Sequence, residues 1–165
     1  MDIGAKKKHE LVGMGMARTF QNVRLFTTNR LSVLDNVMLG MHLHFSHGVI
    51  ASSLSWKGSR ESEKKARERA WEILAFLGIE RLAHTPVTEL PFGIQRWVEL
   101  GRAMAAQPKL LILDEPAAGL NDVETEALAS FIRKINQNGV AILLVEHHMG
   151  LVMNISNRVV VINYG

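Results

Sequence analysis

The segment Leu110-Leu111-Ile112-Leu113-Asp114-Glu115-Pro116 sets two carboxylates directly after four aliphatic residues. An apolar run of this length suits a strand buried on both faces. In open parallel sheets, ligands bind beyond the carboxyl ends of the strands. Asp114 then stands where it can hold Mg2+, directly or through water, because hard cations prefer oxygen ligands. Glu115, one residue further on, can orient or deprotonate an attacking water. Pro116 turns the chain away. An Asp-Glu pair alone is more often an ordinary acidic turn; the aliphatic run and the proline together single this one out. A second aliphatic run, Ala141 to Val145, ends the same way, in Glu146-His147.

These groups need a scaffold, and the change of pattern along the chain describes one. Residues 1 to 16 are glycine-rich and weakly patterned, Ala17 to Phe20 suits a short strand, and Gln21 to Arg24 a polar loop. Ser32 to Met41 reads as a helix capped by Ser32, with Asp35 three residues on. His42 to Gly58 reads as a loop. Ser59 to Leu77 is helical, with Ala66, Ala70, Ile73, Leu74 and Leu77 forming an inward stripe, and Gly78 ends it. Leu82 to Phe92 is broken by Pro86 and Pro91; Gly93 to Gln107 is helical and Pro108 closes it. From Leu110 onward the expected order is strand (110–113), helix (Asn121 to Asn138, with Asn121 and Glu124 as a capping pair), strand (141–145), helix (148–155) and a third strand at Val159 to Ile162. That alternation predicts a parallel sheet with right-handed crossovers, so the expected fold class is α/β.

Composition narrows the functions. The 165 residues suit one domain. With no cysteine, disulfides and thiolate metal sites are excluded. A net charge of +3 is too mild to imply nucleic-acid binding, and Lys6-Lys7-Lys8 and the mixed run Arg60 to Arg69 read as solvated surface. No apolar run approaches the ~18 residues needed to span a bilayer, and the N-terminus lacks the pattern of a signal peptide, so any membrane link is expected to come through a partner. His42-x-His44 is a weak metal pair with no carboxylate or cysteine beside it. His9, His47 and His84 read as solvated or packed, His148 as surface, and Trp71 and Trp97 as packing residues.

Taken in order, the motifs resemble those of ABC-type ATPases. Leu110 to Pro116 is similar to the family's Walker B strand and catalytic glutamate, and Ala118-Gly119-Leu120-Asn121 lies where its D-loop falls. His147 matches the switch histidine that contacts the γ-phosphate. Gln21, within Arg18-Thr19-Phe20-Gln21-Asn22, matches the Q-loop glutamine, and Leu90-Pro91-Phe92-Gly93-Ile94-Gln95-Arg96 sits where the signature sequence opens a helix. Ala17 to Phe26, Asp114 to Asn121 and Glu146-His147 followed by Met149 look most like the ATP-binding subunits of branched-chain amino-acid importers, with urea and amide importers sharing the pattern. The short stretch between Gln21 and Leu90 leaves no room for the coiled-coil insertion of DNA-repair-type relatives.

The resemblance implies a partial P-loop NTPase fold over residues 1–165, with a helical subdomain at about 22–107 and part of the α/β core at about 108–165. It implies Glu115 and His147 as catalytic residues, Gln21, Pro91, Phe92, Gly93 and Asn121 as nucleotide contacts, and Asp114 and Gln21 as metal contacts. The implied cofactors are ATP and Mg2+. The implied partners are a second ATP-binding subunit, identical or not, and integral membrane permease subunits, with no nucleic acid. The implied location is peripheral, on the cytoplasmic face of the inner membrane.

Two departures qualify the expectation. The 165 residues contain no Gly-x-x-x-x-Gly-Lys-Ser/Thr string, whose amides and lysine cradle phosphates; Gly4-Ala5-Lys6-Lys7-Lys8 lacks the second glycine and the hydroxyl residue. The chain therefore reads as an internal piece of a subunit, impaired in ATP binding by itself. In the signature, Pro91 offers neither N–H nor hydroxyl, Ile94 stands where glutamine is expected, and Gly93 with the helix N-terminus remains as an anion site. Asn121 replaces the usual D-loop aspartate. These departures leave open an alternative: an inactive, family-derived interaction module or gene remnant.

Overall fold

The computed structural model describes residues 8–19, 25–41 and 56–163. Gln21 and the His42-x-His44 pair lie outside them.

Three parallel strands form one sheet in the order β1-β2-β3: β1 (Met16–Arg18), β2 (Leu110–Asp114) and β3 (Ala141–Val145). The register pairs Arg18 with Ile112 and Asp114 with Val145. Thr19 extends the first ladder, its N–H donating to the Ile112 carbonyl at 3.0 Å. β2 is the central strand because both neighbours hydrogen-bond to it. Its side chains alternate: Leu111 and Leu113 are fully buried, whereas Leu110, Ile112 and Asp114 are half-buried. The expectation of a strand buried on both faces therefore holds for one face of β2. It fails for β3, where Leu143 is 51% and Val145 50% exposed. The reason is position: β3 has a single described neighbour and forms the edge.

The third strand expected at Val159 to Ile162 is also corrected. Those residues are exposed and join no ladder with a described residue; a strand needs a partner for its amides, and β1 holds the third place instead. An N-terminal helix, α1 (Lys8–Gly13), forms where the sequence showed no pattern.

The helices follow their caps. In α2 (Val33–Leu39), Ser32 Oγ accepts from the Asp35 N–H and the Asp35 carboxylate accepts from the Ser32 N–H, a complete capping box. Asn36, fully buried in α2, binds both the N–H and the carbonyl of Phe26 and so ties down the chain before the helix. α3 (Trp56–Leu77) starts earlier than expected and buries Ala66, Ala70, Ile73, Leu74 and Leu77, the stripe read from its periodicity. Gly78 and Gly139 take φ of +70° and +86°, the left-handed geometry that ends a helix at low cost in glycine. α4 (Phe92–Ala105) packs on α2 and α3. α5 (Asp122–Gln137) has its own capping box, Asn121 with Glu124, and α6 (Met149–Ile155) packs against it.

One apolar core joins the helices of the first half to the sheet. Phe131 of α5 meets Trp97 of α4 edge-on at 4.6 Å and Phe76 of α3 at 6.0 Å. Trp97 is buried, as a packing residue should be; Trp71 is instead at the surface, edge-on to His84 at 5.8 Å.

Candidate active site

The candidate residues gather at the carboxyl end of the sheet because parallel strands in register must end together. β2 delivers Asp114 and then Glu115; β3 delivers Glu146 and then His147. The Glu115 N–H still donates to the Val145 carbonyl at 2.9 Å, so the ladder reaches the first turn residue. Glu115 itself takes φ +45°, a region a non-glycine residue enters only at a cost of about 1–2 kcal/mol. Strain of this kind persists where surrounding bonds over-determine the backbone, and here the ladder bond on one side and the Ala118 N–H to Glu115 carbonyl bond (3.1 Å) on the other do so.

The Glu115 carboxylate lies 3.7 Å from His147 Nδ1. The imidazole is 78% exposed, whereas the glutamate side chain is partly covered at 28%. Between the two strand ends sits the Glu146 carboxylate, 1% exposed. One of its oxygens accepts the Ala117 N–H at 2.9 Å, and the other accepts those of His147 at 2.9 Å and His148 at 3.2 Å. His148 is exposed, as read, and its Nδ1 accepts the Leu151 N–H at 3.1 Å to cap α6.

Asp114 is held from the other side. Arg18, at the end of β1, places Nη2 2.7 Å from Asp114 Oδ2, and the buried Thr19 hydroxyl accepts the Asp114 N–H at 3.4 Å. Sequence reading gave Arg18, Thr19 and Glu146 no role. Only the strand register brings residues 18 and 114 together, and only the β3-to-α6 turn folds Glu146 inward. A lone arginine in a short strand and a glutamate at a strand end carry no signal of either.

Phe92 and Gly93 pack against the turn after β2 and the first turn of α5. The φ of Gly119 is +79°, and a Cβ there would come within 3.2 Å of the Phe92 ring. A Cβ on Gly93 would meet Glu124 Oε1 at 2.6 Å. The carboxylate that caps α5 thus already lies against Gly93, so an anion seated at the start of α4 would face it. Pro91 precedes α4 without a side-chain cap. Arg96 lies over the Phe92 ring at 5.3 Å and 3.6 Å from Glu99, both charges buried. Arg102, further along α4, lies over Phe26; burial lowers its guanidinium pKa and Glu99 opposes that shift. A cavity of about 20 Å³ separates α4 from the β2 turn, lined by Thr19, Arg96, Glu99, Leu113 and Pro116 among others.

The arrangement brings Asp114, Glu115 and His147 together at one end of the sheet. Asn121 stands further along the same turn, its side chain engaged with the Glu124 N–H at 2.9 Å. The sequence profile of the ABC transporter family matches residues 2–118. The chain belongs to that family.

ABC transporter subunits are correspondingly its relatives. The high-affinity branched-chain amino acid transport ATP-binding protein BraF of Pseudomonas aeruginosa is 39% identical over 95% of this chain and 61% of its own length. LivG of Escherichia coli, of the same description, is 39% identical over 94% and 61%. The chain thus spans about three-fifths of the length of these relatives. Among solved structures, a nucleotide-free ATP-binding cassette from an ABC transporter superposes with a TM-score of 0.70 at 28% identity, over 94% of this chain and 60% of that one. The fold is that of an ABC ATPase cassette, of the P-loop NTPase type, with its parallel sheet and flanking helices.

The donor set at the site bears on Mg2+. Among the described residues no three His, Cys, Asp or Glu side chains gather as a metal cage. Mg2+ keeps several waters and is usually bound by one or two carboxylates together with substrate phosphates. A single Asp114 fits an ion that arrives with a nucleotide. The Arg18 pair engages Oδ2 of Asp114, and a carboxylate has a second acceptor oxygen.

Proposed function

We propose that this chain forms part of the ATP-binding and ATP-hydrolysing subunit of an importer for branched-chain or related amino acids. The observation that carries the reading is the meeting of Glu115 and His147, 3.7 Å apart, beside Asp114 at the sheet end. Names among the 39% identical relatives support the choice of solute class.

In this reading Glu115 orients the attacking water and takes its proton as the water oxygen bonds to the terminal phosphorus and the bond from that phosphorus to the bridging oxygen breaks, releasing ADP and phosphate. His147, exposed beside it, contacts the terminal phosphate. Asp114 would hold Mg2+ directly or through water, with Gln21 as a further contact, and the ion would supply charge neutralisation at the phosphates. Gln21 would also sense the membrane subunit. Two subunits close on two ATP molecules, each offering Phe92, Gly93 and the start of α4 to the nucleotide on the other, with Asn121 on the D-loop between them. Closure drives integral membrane permease subunits, which places the subunit peripherally, on the cytoplasmic face of the membrane. No described helix is long and apolar enough to cross one.

A second reading, an interaction module of ABC ancestry that does not hydrolyse ATP, draws on Pro91 and on the Glu124 carboxylate lying against Gly93. Steady-state hydrolysis by the intact subunit separates the two. Glu115→Gln is expected to lower turnover by about 10²- to 10⁴-fold, the usual contribution of a general base, with nucleotide affinity kept. Equal turnover in the variant and the parent would rule out the hydrolytic role of Glu115.

A further inference from the structure

We propose that Glu146 is a positioning residue that sets the separation of Glu115 and His147; the proposal rests on the hydrolytic reading above. A carboxylate that is 1% exposed would be costly to bury unless its charge were satisfied. Three backbone N–H groups do so, and they belong to two different segments. Ala117 lies two residues beyond Glu115, and its N–H binds one oxygen at 2.9 Å. The N–H groups of His147 and His148 bind the other at 2.9 and 3.2 Å. One planar group thus fixes the turn that carries Glu115 against the turn that carries His147.

The imidazole is 78% exposed, and its Nδ1 lies 3.7 Å from Glu115 and 3.9 Å from Glu146 Oε2, so Glu146 sits against the ring as well as the backbone that carries it. Neither turn is continuous with the other in sequence, and the ladder between β2 and β3 reaches only to the Glu115 N–H. Beyond that point Glu146 bridges them. Glutamine at 146 keeps one acceptor oxygen but turns an NH2 toward donors on one side, so it preserves half of the bridge. Alanine removes both halves.

The experiment pairs two measurements on the intact subunit. Amide hydrogen exchange without nucleotide is expected to quicken at Ala117 and His148 by about tenfold or more in Glu146→Ala, with the Glu115 amide still protected. Steady-state ATP hydrolysis is expected to lose about tenfold to a hundredfold in kcat, with KM within about threefold. Glu146→Gln should lie between parent and alanine in both. In a His147→Ala background, Glu146→Ala should cost less than it does alone, because residues acting through one another are not additive. Unchanged exchange at Ala117 and His148 would overturn the bridge. Altered exchange with unchanged kcat, or fully additive losses, would overturn its positioning role. A parent without any turnover would overturn the hydrolytic reading and with it that role, and the exchange measurement would still judge the bridge itself.

Discussion

At the scale of single residues, the site is organised by groups that touch no reacting atom. Arg18 and Asp114 form an ion pair at 2.7 Å, with the arginine side chain 57% and the aspartate 23% exposed. Exposed pairs of this kind contribute roughly 0–1 kcal/mol. Arg18→Met is therefore expected to change the unfolding free energy by less than about 1 kcal/mol, measured by denaturant unfolding. A loss of several kcal/mol would mean that Arg18 holds the fold as well as pairing with Asp114. That Asp114, Glu115, Glu146 and His147 lie at strand ends is legible in the sequence, because an aliphatic run ending in an acid or an imidazole is a local pattern. The partners of Arg18 and Glu146 are not legible, because they are set by register and by a turn.

At the scale of elements, local chemistry was the most readable part. Ser32 with Asp35, and Asn121 with Glu124, were expected to cap their helices, and both pairs form complete boxes. Such boxes lie within four residues, so spacing alone defines them. Asn121→Ala is expected to cost about 1 kcal/mol in urea unfolding, since the Glu124 N–H would lose its acceptor; no change would mean that the cap is redundant with packing. The same cap carries a consequence for the site. Glu124 reaches back to Asn121 and also lies against Gly93, so the bland reason for Asn121, helix capping, and the altered signature meet at one carboxylate. The burial of β3 was misjudged for the opposite reason. An aliphatic pentapeptide looks the same at a sheet's centre or its edge, and only the strand order distinguishes them. Residues 159–162 show the same limit: β-branched composition favours a strand, but without a ladder partner it does not make one.

At the scale of the whole molecule, the helices of the first half and the short parallel sheet share one core, and the sheet's chemistry faces out at its carboxyl end. Leu143 and Val145 on β3, with Val159 to Ile162 beyond, leave aliphatic side chains exposed at one edge of the described sheet. In the proposed function, Glu115 and His147 at the carboxyl end act on water and on a terminal phosphate. A phosphate-gripping loop is not encoded within the 165 residues. Calorimetric titration with Mg-ATP decides whether these residues supply the hydrolytic half of an ATP site. The 165 residues alone should bind more weakly than about 1 mM, and the same residues joined to an upstream phosphate-loop segment should bind near 1 μM, a gain of about 4 kcal/mol. Micromolar binding by the 165 residues alone, with turnover abolished by Glu115→Gln, or no binding by the joined protein, would contradict that assignment.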